Sequence, residues 1–255
     1  MTPSPTGVTT PADLLRIALT DDPARPFLTL YDDATGERVE LSVATFGNWV
    51  AKTAGLLRDQ VGAARGARIA LALPLHWQTA VYLQACWTLG LVAQPVSPGE
   101  PLDPTAYAVV TTPERVEEVQ GPEVVALTLR PALLAAQGPA ALPWSAVDGE
   151  TDVLSHPDSF SPPRSLPGDA EGLRAADRSW TLAELAEAGG MEAERLGVAH
   201  GARLLTTLAP DSLAGIAAAL LVPLAVEGSA VLCRNPDRAR LPERGRVERV
   251  DVVLD

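Results

Sequence analysis

Lysine is almost missing from this chain. One, Lys52, stands against nineteen arginines in 255 residues, so any chemistry that needs a primary amine must use Lys52 or go without. Cysteine is nearly as scarce. Cys86 and Cys233 lie far apart in apolar surroundings, in no Cys-x-x-Cys or metal-ligand spacing, and read as buried reduced thiols. Three scattered histidines, His76, His156 and His200, do not cluster as a metal centre requires, and no metal is expected. Basic charge is short overall: a formal net charge of −12 argues against nucleic acid, whose phosphates need a basic face, and against anionic membrane surfaces. The longest apolar run, Leu213–Val226, is broken by Pro223 and stopped at Glu227. It is too short to span a bilayer and reads as a buried helix. The opening MTPSPTGVTTPADLL has no basic region leading into an apolar one, so no secretory signal is expected and the expected location is the cytoplasm.

What is present is ordinary globular material, 47% hydrophobic and 20% charged, long enough to bury a real core as one large domain or two small ones. Residues 1–11, rich in Pro and Thr, are expected to fray. PADLLRIAL predicts a short helix. PFLTLYDDATGERVEL predicts a hairpin, with β-prone Phe27–Tyr31, a turn around Asp33–Gly36 and a return through Val39 and Leu41. Ser42 is placed to cap a helix over 43–60, on which Val43, Phe46, Val50, Ala54 and Leu57 recur at helical spacing. Arg68–Leu73 reads as a strand buried on both faces. HWQTAVYLQACWTLG reads as a helix stopped at Gly90, and LVAQPV, AYAVVTT and EVVALTL as further strands. The stretch 138–178 is dense in Pro, Gly, Ser and Asp and predicts an irregular connection holding one strand or short helix. Thr181 and Glu184 then form a Thr-x-x-Glu capping box ahead of another helix.

One phrase occurs twice. Gly-Ala-Arg, a short apolar run and Pro appear at 66–74 and again at 201–210, each time preceded and followed by a helical segment. The order helix, Gly-Ala-Arg, strand, Pro, helix, Gly, strand thus fills about 43–96 and 181–233. Two copies are too few for a solenoid. Alternating strands and helices predict an α/β fold of two related αβ subdomains, with mostly parallel sheets flanked by helices. The division is drawn at 12–137 for the first subdomain, 138–178 for the connection and 179–255 for the second.

The segment ELSVATFGNWVAKTAGLLRDQVGAARGARIALALPLHWQTAVYLQACWTLGLVAQPV resembles the N-terminal region of the adenylate-forming superfamily: acyl-CoA synthetases, peptide-synthetase adenylation domains and luciferases. Residues 23–96 share that family's layout, and 181–233 look like the corresponding unit of its second subdomain. The resemblance implies a loop rich in Ser, Thr and Gly, ending in lysine, just before the second unit's capped helix. Such a loop cradles ATP phosphates with backbone N–H groups and offsets their charge with a cation. Here that place holds SLPGDAEGLRAADRSW, with no Ser/Thr cluster and no lysine, and with Asp169, Glu171 and Asp177 opposing a triphosphate. Arg174 and Arg178 are read as surface ion-pair partners. The family's aromatic–His element is replaced by APDSLAG.

Other catalytic signatures are missing as well: Gly-x-Ser-x-Gly, Gly-x-x-x-x-Gly-Lys, His-Glu-x-x-His and a strand-linked Gly-x-Gly-x-x-Gly. No catalytic residue is therefore assigned. Open α/β sheets bind ligands at the C-terminal edges of their strands, which singles out His76 and Trp77 after the first echoed strand and Thr207, Asp211 and Ser212 after the second as cleft-lining candidates. Competing roles are a helix start for His76, an N-cap for Asp211 or Ser212, and core packing for Trp49 and Trp87. The sequence predicts a non-catalytic relative (a pseudoenzyme) that binds, scaffolds or regulates, with no cofactor. Its partner would be another protein, a second copy, or a small carboxylate or acyl ligand. The alternative is a carboxylate-activating enzyme with an unorthodox or partner-completed ATP site, in which case ATP or AMP would be the cofactor.

Overall fold

The computed structural model describes residues 10–129, 142–143, 146–159, 166–176 and 178–255. Residues 1–9 of the stretch expected to fray lie outside these. Thr10 is buried and caps α1 (Pro11–Asp21), its hydroxyl accepting from the Asp13 N–H at 3.2 Å. The hairpin follows as β1 (Pro26–Asp32) and β2 (Glu37–Ser42). Ser42 then caps α2 (Val43–Gly55), accepting from the Thr45 N–H at 3.1 Å. The helix expected over 43–60 finishes as a π turn, Leu56–Gln60.

The first echoed segment gives β3 (Arg68–Ala72), α3 (Trp77–Leu89) and β4 (Val92–Pro95). Gly90 stops α3 in the left-handed conformation, φ 70°, the usual helix terminator because it has no Cβ to clash. Next come β5 (Ala108–Thr111), a 3₁₀ turn at Pro113–Glu118, β6 (Glu123–Ala126) and β7 (Ala146–Asp148). The C-terminal part holds β8 (Glu171–Ala175), β9 (Arg178–Thr181), α4 (Leu182–Leu196), β10 (Arg203–Thr206) and a helical run through α5 (Leu213–Ile216), a π turn and α6 (Val222–Ala225). The chain ends with β11 (Ser229–Arg234), α7 (Leu241–Val247) and β12 (Val252–Leu254).

Two mostly parallel sheets result, in the orders β7-β6-β5-β3-β4-β8-β9 and β12-β10-β11-β1-β2. One core joins them, in which Leu28, Leu30 and Leu232 of one sheet and Ile69, Leu71 and Val110 of the other pack on the same helices. The helices therefore fill the space between the sheets. The outer faces carry smaller clusters: Val116 of the 3₁₀ turn over Val124 and Ala126, and Leu241 of α7 over Leu205, Val231 and Cys233. Cys86 and Cys233 are free and buried, and burial pushes both thiols up, so neither is a ready nucleophile.

The two Gly-Ala-Arg segments occupy matching backbone settings. Gly66 and Gly201 have φ of 80° and 77°. Their N–H groups donate to Gly90 O at 2.8 Å and Val226 O at 2.7 Å. Arg68 opens β3 opposite Val92, and Arg203 opens β10 opposite Ser229.

The structure departs from the sequence reading in two ways. Sheet membership does not follow the division at 12–137 and 179–255: the hairpin at 26–42 joins the C-terminal strands through parallel β1–β11 pairing, Leu28 opposite Ala230, while β8 joins the N-terminal strands through β4. The stretch 138–178 also holds more regular structure than one element. Its described residues include β7, a 3₁₀ turn at Asp152–Ser155 and β8. Trp87 anchors β8 from α3, fully buried, its Nε1–H donating to Gly172 O at 2.9 Å. Trp87→Phe keeps the apolar contact but strands that carbonyl, and should cost about 1–2 kcal/mol in chemical denaturation.

Candidate functional site

Two places in the fold bring chemistry-bearing side chains together. The first lies at the C-terminal edges of the sheets. β3 and β5 are neighbours, yet α3 leaves β3 into the central core while the turn after β5 covers the opposite face. Adjacent strands whose connections diverge open a crevice at their C-terminal ends. His76 stands there, 3% exposed, as the N-cap of α3. Its Nδ1 accepts from the Gln78 N–H at 3.3 Å, which leaves the proton on Nε2, an atom with no partner among the described residues. Burial, helped by the positive charge of Arg234, lowers His76 to about 3, so the ring is neutral at physiological pH. Thr111 at the end of β5 also has an unpartnered buried hydroxyl. Arg234 closes β11, 3.6 Å from the carboxylate of Asp32. Glu114 is held below the usual range, chiefly by its hydrogen bond to Thr112, with Arg234 contributing.

Trp77 stacks at a tilt between His76 (5.6 Å) and Trp49 (5.2 Å), and Trp49 and Trp77 are both half-buried against the core. The second group behaves differently. The Thr207 N–H donates to Leu254 O at 3.1 Å and ties down β12. Ser212 caps α5 by accepting from the Gly215 N–H at 3.3 Å, and Asp211 is half-buried beside it. No hydrogen bond or ion pair joins this group to His76 and Trp77 among the described residues.

The second place is the β8–β9 hairpin with the helix it feeds. Ala175 pairs with Arg178, so only two positions of the sequence separate the paired strands; the second of them, Asp177, lies outside the described residues. The cations here are engaged. Arg174 grips Glu171 with two hydrogen bonds, at 2.8 and 2.9 Å, and Arg178 lies 4.8 Å above the Trp180 ring. Lys52 is remote: it forms a 2.6 Å ion pair with Asp158 and donates to His156 O at 2.8 Å. Beside the hairpin a groove of about 690 Å³ runs between α4 and the start of α5, with Trp180 at one end and Met191 in its wall. None of the five residues singled out from the sequence lines it. Helical periodicity marks the outward face of α4, but nothing local tells which residues of β9 and α5 will face it. Among the described residues no cluster could hold a metal ion, and no helix is long and apolar enough to cross a membrane.

Solved structures with this arrangement include the N-terminal domain of FACL13 from Mycobacterium tuberculosis, with TM-score 0.74 and 16% identity, covering 96% of this chain and 62% of that one. An acyl-CoA synthetase from Brucella canis superposes with TM-score 0.78 at 17% identity, covering 99% of this chain and 48% of that one. The chain thus spans about half to three fifths of the length of these structures, and the likeness is one of fold. No protein-family model matches. In sequence, a Mycobacterium tuberculosis (strain ATCC 25618 / H37Rv) protein described as a TIGR03089 family protein is 36% identical over 262 residues, covering 97% of this chain and the whole of the relative. With the fold of an acyl-CoA synthetase N-terminal domain and this end-to-end match, the chain belongs to the TIGR03089 family.

Proposed function

We propose that the chain is a non-catalytic relative of the acyl- and aryl-adenylate-forming enzymes and acts by binding a partner. The observation that carries this reading is the β8–β9 hairpin. It occupies the place where the family resemblance puts a phosphate loop, and only two positions of the sequence separate its paired strands. A turn that short offers no ring of N–H donors to encircle a triphosphate, and its arginines are already held by Glu171 and Trp180. Adenylation needs ATP held, a carboxylate aligned in line and the charge on phosphorus offset. ATP–pyrophosphate exchange with a panel of aliphatic and aromatic carboxylic acids should stay at background, and thermal-shift screens with ATP and AMP should show no stabilisation. Robust exchange with any acid refutes the reading.

A second reading draws on the extent of the structural match: this chain corresponds to 48% of the Brucella canis synthetase. A partner that supplies the nucleotide site would restore exchange when the two proteins are mixed, and the chain alone would still show none.

A further inference from the structure

Asp32, Arg234 and His76 come together between the two sheets at their C-terminal ends, each with hydrogen-bonding capacity unspent. Side chains alternate across a strand. Leu28 and Leu30 of β1 and Ala230 and Leu232 of β11 face the core between the sheets, whereas Val231 and Cys233 face the outer side. Asp32 and Arg234 continue the inward set and pair in the same parallel register. His76 enters from the other sheet, at the start of α3, a helix packed in that core, and Arg234 is near enough for its charge to act on it.

The His76 Nδ1 is spent on the helix cap, so Nε2 carries the proton, and it donates to nothing among the described residues. Asp32 is 3% exposed, and its Oδ1 is filled by the Ala34 N–H at 3.0 Å and Asn235 Nδ2 at 2.9 Å. Its Oδ2 has only Arg234, at 3.6 Å, too far for a hydrogen bond. The Arg234 guanidinium makes no hydrogen bond among the described residues. Donors from two side chains and one acceptor are thus left over in a place where an unmet polar group costs free energy.

Charge decides what can meet them. Arg234 and Asp32 offset one another, and Glu114 lies within electrostatic reach of the same guanidinium. A carboxylate or phosphate would set a second anion beside Asp32 to share its one arginine, a costly imbalance in a buried place. An uncharged amide offers one acceptor oxygen and N–H donors, and leaves the ion pair neutral. We propose that this cluster binds a primary carboxamide, its oxygen accepting from the His76 Nε2–H and Arg234 and its NH2 donating to the Asp32 Oδ2. The apolar body of the ligand lies toward Trp77, half-buried and 5.6 Å from the His76 ring. Arg234, a long side chain held by no hydrogen bond and partly exposed, is the cover that turns aside for entry. This names a small ligand for the binding half of the proposed function and owes nothing to the loss of catalysis, so the exchange assay and the test below can fail separately.

The test titrates the full chain with benzamide and with benzoate, the same ring carrying an acid in place of the amide, at pH 7, by thermal shift and ligand-observed NMR. Benzamide should bind saturably and raise Tm, with benzoate weaker by about tenfold or more. His76→Asn keeps a cap acceptor for α3 but loses the Nε2–H, and Arg234→Met loses the guanidinium. Each should weaken benzamide by about fivefold, with circular dichroism confirming an unchanged fold. Asp32→Asn leaves Arg234 without its counter-charge and should turn the preference to benzoate. No saturable binding of benzamide overturns the proposal, as does benzoate binding equally well to the parent. Benzamide affinity that neither His76→Asn nor Arg234→Met alters overturns it too.

Discussion

Gly215→Ala should destabilise the protein by about 3 kcal/mol, the largest effect expected of any one-methyl change here. Gly215 sits in the first turn of the helical run after β10, where that run folds back over the strand end. A Cβ built on it would stand 1.8 Å from the carbonyl oxygen of Ala209 and 2.8 Å from its carbonyl carbon. Both obstacles are backbone, so no rotamer change relieves them; the helix start must move off the strand. The run buries Ile216, Leu220, Leu221 and Leu224, so displacement at its first turn propagates into the core between the sheets. Gly190→Ala is the matched control. Its Cβ meets nothing within 4 Å, inside a helix, and alanine there should gain about 0.5–1 kcal/mol from helix propensity and a less flexible unfolded chain. Urea midpoints of the two variants, moving in opposite directions from the parent, check both. A Gly215→Ala protein as stable as the parent would mean that the helix start is not seated against Ala209.

His76 should make the fold acid-sensitive. Its folded-state pKa is lowered from 6.5 to about 3 by burial, with Arg234 adding like-charge repulsion. The unfolded chain therefore binds this proton more readily than the native state does throughout the interval between those values. Stability from this group is complete above pH 6.5 and drains away as the pH falls towards 3. From pH 7 to pH 4.5 the loss amounts to about 2–3 kcal/mol. His76→Asn isolates the effect, because asparagine retains an N-cap acceptor for α3 but cannot be protonated. Urea titrations of the two proteins at pH 7, 6, 5 and 4.5 should diverge as the pH falls, the parent losing stability faster. Parallel losses would show that the imidazole reaches solvent or a counter-charge, contrary to its buried, neutral setting.

Wherever a few neighbouring residues set the outcome, the sequence was legible. Ser42 caps α2, Thr181 and Glu184 form both halves of a capping box, and Gly90 terminates α3, because each arrangement closes within four residues. The family resemblance rested on the same punctuation, and the helix-start roles weighed for His76 and Ser212 are the ones they fill. Less legible was the β8–β9 hairpin. Its strands, EGLRA and RSWT, are short, polar and half exposed at the edge of a sheet, so they carry little of the alternation that announces a strand. Besides its pairing with β4 and β9, β8 is tied by Trp87, eighty-five residues upstream of Gly172 in the sequence.

Glycines show the same division on a smaller scale. Gly189 and Gly190 stand side by side and read alike as weak points in a helix. In the fold, Gly189 lies against the Leu221 carbonyl, while Gly190 faces open space. One is required by a neighbour and the other is not, and only the packing of α4 on the π turn distinguishes them.

The sequence by itself determined the α/β class, the starts of α2 and α4, the end of α3 and the two Gly-Ala-Arg strand starts, because hydrophobic period, caps and left-handed glycines act over a few residues. The tertiary structure alone decided that β1 pairs with β11 across about two hundred residues, that His76 is sealed from water, and that β9, α4 and α5 enclose a groove. Those outcomes depend on which surfaces meet when the helices are buried between two sheets, a choice made by the free energy of the whole core and written in no single segment.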